Sequence, residues 1–118
     1  MPLDLHEAIA TYGTPDAFLL IDCLTTFTAN LLMAEEGNES AIFKRIDCLR
    51  SALVSTPSSV AVVSNEAGSG IVPAYASGRQ YRDLLGEINQ IIAQISHNVV
   101  FMIAGCPLVL KGNGDLLA

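Results

Sequence analysis

Five apolar residues in succession and then an acid, Ala17-Phe18-Leu19-Leu20-Ile21-Asp22, point to the fold class of this chain. A strand with one solvated face alternates apolar and polar side chains. A run without alternation instead reads as a strand covered on both faces, the usual condition of a parallel sheet flanked by helices. The turn signal Gly13-Thr14-Pro15-Asp16 precedes this run and separates it from a short opening helix. Helical patterning follows over residues 24–36, breaks at Gly37-Asn38, and resumes over residues 39–55 with Phe43, Ile46, Leu49 and Leu53 on one face. After the turn cluster Thr56-Pro57-Ser58-Ser59, Val60-Ala61-Val62-Val63 reads as a second buried strand that ends in the polar pair Ser64-Asn65.

The strongest helical pattern runs over residues 73–96, with Tyr81, Leu84, Leu85, Ile88, Ile91, Ile92 and Ile95 at core spacing. A third apolar run, Val99-Val100-Phe101-Met102-Ile103-Ala104, follows. Gly105-Cys106-Pro107 then permits a tight turn into a short antiparallel edge, Leu108-Val109-Leu110. Strands alternating with helical crossovers give one α/β domain over residues 1–118. In such sheets ligands sit at the carboxyl ends of the strands, where Asp22, Asn65, Glu66 and Gly105 fall. Three parallel strands and a hairpin are few for this architecture, so the chain is expected to belong to a larger fold or to complete itself by association.

Several functions are excluded. The 118 residues are 51% hydrophobic and 15% charged, the composition of a folded domain rather than a disordered tail. Six Lys and Arg against twelve Asp and Glu, a formal charge of -6, leave no basic footprint for a nucleic-acid backbone. The longest apolar runs are strand-length, well short of the roughly 20 residues that span a bilayer. The acidic N-terminus lacks the pattern of a signal peptide, so a cytoplasmic location is expected. Cys23, Cys48 and Cys106 are odd in number and widely spaced, which reads as reduced, packed thiols. With His6 and His97 alone and no Cys-x-x-Cys or His-Glu-x-x-His motif, no zinc cage is expected. No nucleophile elbow or Ser-His-Asp spacing supports a hydrolase.

An acid at the carboxyl end of an apolar strand is the arrangement by which nucleotide-binding α/β proteins bring a carboxylate to Mg²⁺ beside phosphates. On local pattern alone Asp22 reads first as an N-cap for the helix beginning near Leu24. Thr25 and Thr26 offer hydroxyls to phosphate or metal, or bond locally. The small-residue loop over residues 64–73 can turn backbone N–H groups toward an anion, with Asn65 and Glu66 its better candidates. It has neither the Lys-Ser/Thr ending of a Walker A loop nor the third glycine of a dinucleotide fingerprint. Arg79 and Arg82 can reach phosphate from the following helix, or form its solvated face. Lys111 reads as a solubilising edge charge, and His97 as a cation near a helix C-terminus.

Several linked motifs together carry a family resemblance: Pro-Leu-Asp-Leu-His-Glu-Ala-Ile (2–9), Leu-Leu-Ile-Asp-Cys-Leu-Thr-Thr-Phe-Thr-Ala-Asn-Leu-Leu (19–32), Val-Val-Ser-Asn-Glu-Ala-Gly-Ser-Gly-Ile-Val-Pro (62–73), Gly-Arg-Gln-Tyr-Arg-Asp-Leu-Leu-Gly-Glu-Ile-Asn-Gln (78–90) and Ala-Gly-Cys-Pro-Leu-Val-Leu-Lys-Gly (104–112). In order and spacing they resemble the bifunctional adenosylcobinamide kinase/adenosylcobinamide-phosphate guanylyltransferase family of cobalamin biosynthesis. The resemblance implies a three-layer, P-loop-type (RecA-like), mostly parallel sheet with a short antiparallel C-terminal edge strand, and a homo-oligomer. It implies two reactions, phosphorylation of adenosylcobinamide by a nucleoside triphosphate and GMP transfer from GTP through a guanylyl-histidine, with Mg²⁺ and GTP or ATP bound.

The matched segment corresponds to the C-terminal portion of that fold. The family's glycine-rich phosphate loop and its guanylylated histidine lie before the segment matched by Pro2, with no counterpart among these residues. His6 lies inside a downstream helix motif and does not take that role. By resemblance Asp22 binds metal and nucleotide, Thr25 and Thr26 lie just beyond it, Asn65 and Glu66 form the acidic loop, and Arg79 and Arg82 sit on the next helix. The expectation is a truncated relative, inactive alone in both reactions. Two alternatives stand beside it. One is a non-catalytic nucleotide-binding or assembly module that pairs with a separate N-terminal half or with copies of itself. The other is an unrelated small α/β ligand-binding domain with a pocket away from Asp22.

Overall fold

A computed structural model describes residues 4–66 and 76–113. The elements are α1 (Leu5–Tyr12), β1 (Phe18–Asp22), α2 (Leu24–Ala34), α3 (Glu39–Ser55), β2 (Ser59–Val63), α4 (Ala76–Ile95), β3 (Val99–Ile103) and β4 (Cys106–Lys111). The expected start of the last long helix, near Pro73, and the glycines of the loop before it lie outside the described residues.

Local chemistry accounts for the break between α2 and α3. Glu36 and Gly37 both have positive φ, at 51° and 75°. Their amides turn back to the carbonyls of Met33 and Leu32, at 3.4 and 3.1 Å, which satisfies the end of α2 in a Schellman arrangement. Asn38 then caps α3, its Oδ1 accepting from the Ala41 amide at 3.2 Å. Arg45 Nε donates to Glu35 Oε1 at 2.6 Å and ties the two helices across this corner.

β1 and β2 pair in parallel, Leu19 beside Val60 and Ile21 beside Val62. These four side chains share the face that meets the helical core of Leu24, Phe27, Leu31, Ile42, Ile46, Leu49, Leu84, Leu85, Ile88 and Ile92. α2 packs on α4, α3 on α4, and α1 on α3. Thr28 is the one buried polar residue among those described, and its hydroxyl donates to the Leu24 carbonyl at 2.8 Å. Burial of this apolar set, at roughly 25 cal/mol per Å² removed from water, is the main favourable contribution to folding.

The sheet departs from expectation in two ways. Its outer face is not covered: Phe18 and Leu20 are 67% and 63% exposed. The third apolar run does not join β1 and β2 either. β3 pairs antiparallel with β4, so the described residues form two two-stranded sheets rather than the three-layer sheet the resemblance implies. The physical reason is local. The turn at Ala104 and Gly105, with φ of 52° and 75°, gives β3 a partner only two residues away, at small loop-closure cost. The antiparallel edge itself is as expected, although it begins at Cys106 and includes Pro107.

The three cysteines are free, as expected, yet Cys48 and Cys106 are exposed rather than packed. Lys111 is not merely a solubilising charge. Its Nζ donates to the carbonyls of Ala93 and Gln94, at 3.0 and 3.1 Å, fastening the hairpin to the end of α4. Among the described residues, no helix is long and apolar enough to cross a membrane.

Candidate nucleotide site

The register of the parallel pair builds the site. Asp22, the last residue of β1, lies beside Val63, the last residue of β2, and adjacent strands run about 4.8 Å apart. The chain leaves β1 into Cys23 and α2, and leaves β2 into Ser64, Asn65 and Glu66. Asp22, Thr25, Thr26, Asn65 and Glu66 are thus gathered at one end of the sheet. Arg79 is exposed in the first turns of α4, and Arg82 stands one turn further on. The Arg82 guanidinium donates through Nε and Nη2 to its neighbour Asp83, at 3.3 and 3.1 Å.

Asp22 does not cap α2. The N-cap position is Cys23, and no side-chain cap bond forms there. Asp22 instead ends its strand with an exposed carboxylate, because β1 runs one residue too far for that carboxylate to turn back onto the helix. The Asp22–Cys23 peptide bond is cis.

Cys23 carries chemistry that the sequence reading did not single out. Its Sγ lies in hydrogen-bond contact with the Thr25 hydroxyl and 3.9 Å from that of Thr26. The Thr25 hydroxyl, followed by the Thr26 amide, holds the thiol below its ordinary pKa. Tyr81, on α4, donates its hydroxyl to the Thr25 carbonyl at 3.4 Å. Burial, and then the charge on Cys23, push the Tyr81 phenol above its ordinary range. Tyr81 had read only as a member of the core stripe, and nothing in its spacing distinguishes the polar end from the ring.

α4 also reaches the end of β2. Ser64 Oγ donates to Asn89 Oδ1 at 2.6 Å, and Asn89 Nδ2 donates to the Asn65 carbonyl at 2.9 Å. A cavity of about 400 Å³ opens on the other side of β1. Leu5, Ile9, Tyr12 and Leu20 line it, together with Asp22, Cys23 and Thr26. It touches the candidate residues at Asp22 and Thr26 rather than lying away from them.

No group of three or more His, Cys, Asp or Glu able to hold a metal occurs among the described residues. A cation caged by protein ligands alone does not fit this site. Mg²⁺ typically takes one or two carboxylates and fills the rest of its shell with water and phosphate oxygens. The exposed Asp22 carboxylate fits that donor set.

Residues 1–110 match the family model described as cobinamide kinase / cobinamide phosphate guanyltransferase. The chain belongs to this family. Over 115 residues it is 36% identical to the bifunctional adenosylcobalamin biosynthesis protein CobP of Pseudomonas aeruginosa, which covers 94% of this chain and 63% of that protein. Over 118 residues it is 34% identical to the bifunctional adenosylcobalamin biosynthesis protein CobU of Salmonella typhimurium, covering 91% of this chain and 65% of that one. The protein of the same description from Escherichia coli is 32% identical, with the same coverage. The chain therefore spans just under two thirds of the length of the curated relatives it matches. All the candidate residues, Asp22 through Arg82, lie inside the stretch matched by the family.

Proposed function

We propose that this chain supplies the strand-end portion of a nucleotide site in cobinamide kinase and cobinamide-phosphate guanylyltransferase chemistry, acting in adenosylcobalamin nucleotide-loop assembly in the cytoplasm. On this reading the 118 residues act as one α/β domain, the C-terminal part of a P-loop-type transferase. Its ligands are GTP or ATP with Mg²⁺, and adenosylcobinamide. The observation that carries the reading is the register that sets Asp22 beside Val63, so that the acid of β1 and the Asn65–Glu66 pair face one sheet end within a family-matched segment.

Each residue takes a part set by its chemistry. Asp22 holds the metal that accompanies the nucleotide, and that metal, when bound, neutralises phosphate charge. Thr26 offers a hydroxyl beside it, while Thr25 orients the Cys23 thiol and has its own carbonyl tied to Tyr81. Asn65 presents an amide and Glu66 a carboxylate on the neighbouring strand end. Arg79 and Arg82 supply the positive charge that a triphosphate requires in a chain of net charge -6.

Calorimetric titration of GTP, and of ATP, with and without Mg²⁺ tests this reading. Saturable binding that requires Mg²⁺ is expected. Asp22→Asn should weaken it at least about tenfold, which is 1.4 kcal/mol, while leaving the unfolding midpoint in place, since the carboxylate is exposed and caps nothing. Equal affinity in the variant refutes the metal role.

A second reading is favoured by one observation, the exposed apolar surface of Phe18, Leu20, Met102, Ile103 and Leu110. On that reading the chain is a non-catalytic nucleotide-binding or assembly module. It pairs with copies of itself or with a separate N-terminal half, because exposed apolar patches of this kind mark association surfaces. Sedimentation of the purified chain distinguishes the two, and a monodisperse monomer that binds no hydrophobic dye counts against association.

A further inference from the structure

We infer that Asn89 is a positioning residue: from α4 it clamps the end of β2 and so sets where Asn65 and Glu66 stand relative to Asp22. The inference deepens the proposed nucleotide site and rests on it.

The clamp uses both ends of one side-chain amide. Oδ1 accepts from the Ser64 hydroxyl at 2.6 Å, and Nδ2 donates to the main-chain carbonyl of Asn65 at 2.9 Å. The two partners are consecutive residues with complementary roles, one donor and one acceptor, so only one orientation of the amide satisfies both. The two bonds fix the chain at the two positions where it leaves the sheet.

The amide itself is held in place by the core. Ile88, its neighbour in sequence, is fully buried, and Leu85 and Ile92 are buried one turn to either side. α4 therefore cannot slide or rotate without opening the packed centre. Rigidity passes from that core through Asn89 to Ser64, and the register between Val63 and Asp22 carries it across to β1. Tyr81 makes the matching contact at the other strand exit, onto the Thr25 carbonyl. One helix thus holds the chain just beyond both strands, at Asn65 after β2 and in the first turn of α2 after β1. Gly86, between the two, leaves open space above the helix, with nothing within 4 Å of where a Cβ would stand.

Other residue types do not reproduce the clamp. Aspartate keeps the acceptor for Ser64 but has no donor for the Asn65 carbonyl, and it sets a carboxylate against that carbonyl oxygen. Alanine has neither group. Ser64→Ala removes the hydroxyl that Oδ1 receives and leaves α4 untouched, so it tests the clamp from the strand side should Asn89→Ala fail to fold.

The experiment compares the unaltered chain with Asn89→Ala, Asn89→Asp and Ser64→Ala. Two readouts are taken at a temperature where circular dichroism shows each protein fully folded. The first is the backbone NMR order parameter at Asn65 and Glu66 in the ligand-free protein. The second is the affinity for Mg²⁺·GTP. The expected result is an order parameter at these two residues that falls toward the flexible range, below about 0.6, with those at Leu85, Ile88 and Ile92 unchanged at about 0.85, and nucleotide affinity lower by about tenfold. A purely structural role leaves the affinity of the folded protein where it was. Unchanged order parameters at residues 65 and 66 overturn the clamp. Lower order parameters with unaltered affinity overturn its role in positioning. If the unaltered chain itself binds no GTP, the nucleotide reading falls, and the order parameters alone then decide whether Asn89 orders the strand exit.

Discussion

Replacing Lys111 by methionine isolates the bond between the hairpin and α4, since methionine keeps an unbranched apolar stem and loses only the ammonium. The last turn of α4 leaves carbonyls without helical partners. Ser96 Oγ donates to the Ile92 carbonyl at 2.6 Å, and Lys111 Nζ serves Ala93 and Gln94 at 3.0 and 3.1 Å. A cation at a helix C-terminus contributes about 0.3–1 kcal/mol through the helix dipole. Two hydrogen bonds from a charged donor add to this, though their exposure to solvent reduces them. Holding a lysine in one rotamer opposes the gain by up to about 2 kcal/mol. The balance is a loss of about 1 kcal/mol for Lys111→Met, or roughly 4 °C in midpoint for a chain of this size.

Urea unfolding followed by circular dichroism, with the slope unchanged between the two proteins, measures that difference. The electrostatic share must shrink with salt, because the Debye length falls from about 10 Å at 0.1 M to about 3 Å at 1 M. An unchanged midpoint, or a difference of the same size at both salt concentrations, refutes the assignment of a helix-capping role to this lysine.

The Cys23 thiol should alkylate faster near neutral pH than Cys48 or Cys106, and Thr25→Val should raise its midpoint in a rate-against-pH profile toward the ordinary 9.0, since the Thr25 hydroxyl is the leading cause of the lowering. A thiol pKa lowered on folding adds stability that grows as pH rises from the folded-state value to 9.0 and is lost as pH falls through the folded-state value, so urea midpoints for the unaltered chain and Thr25→Val should diverge toward alkaline pH, and parallel curves would refute this. Gly112→Ala should destabilise by about 1–3 kcal/mol, read as a lower thermal midpoint, because φ there is 86° and the added Cβ would stand 2.8 Å from the His97 carbonyl and against the Asn98 side chain.

Much of this fold was legible because its signals are local. The non-alternating run at Phe18–Asp22, the Gly37-Asn38 break and the isoleucine stripe of α4 each follow from neighbours within a turn or two, and the elements stand where those patterns place them. Strand partnership is a different kind of property. Nothing in Val99-Val100-Phe101 says which strand it will lie beside, and a two-residue turn settles the matter in favour of β4. The site divides in the same way. Asp22 is legible as an acid ending a strand, but its freedom from capping depends on β1 running to that residue. Asn89 sits beside a buried stripe, as many solvent-facing residues do. Only the tertiary approach of α4 to Ser64 gives it a task.

The division into two sheets also bears on how the chain acquires its structure. The β3–β4 hairpin closes on neighbouring residues, an event of roughly 1–10 μs. Pairing Phe18 with Ser59 must close a loop of about 40 residues, with two helices between the strands, and the entropy of that closure comes before any reward from the ladder. Among the described residues the two sheets share no ladder hydrogen bond, so neither templates the other. The two ladders therefore differ in the length of chain each must close. α4, through its bonds to Ser64, Asn65 and Lys111, is the element that joins one ladder to the other.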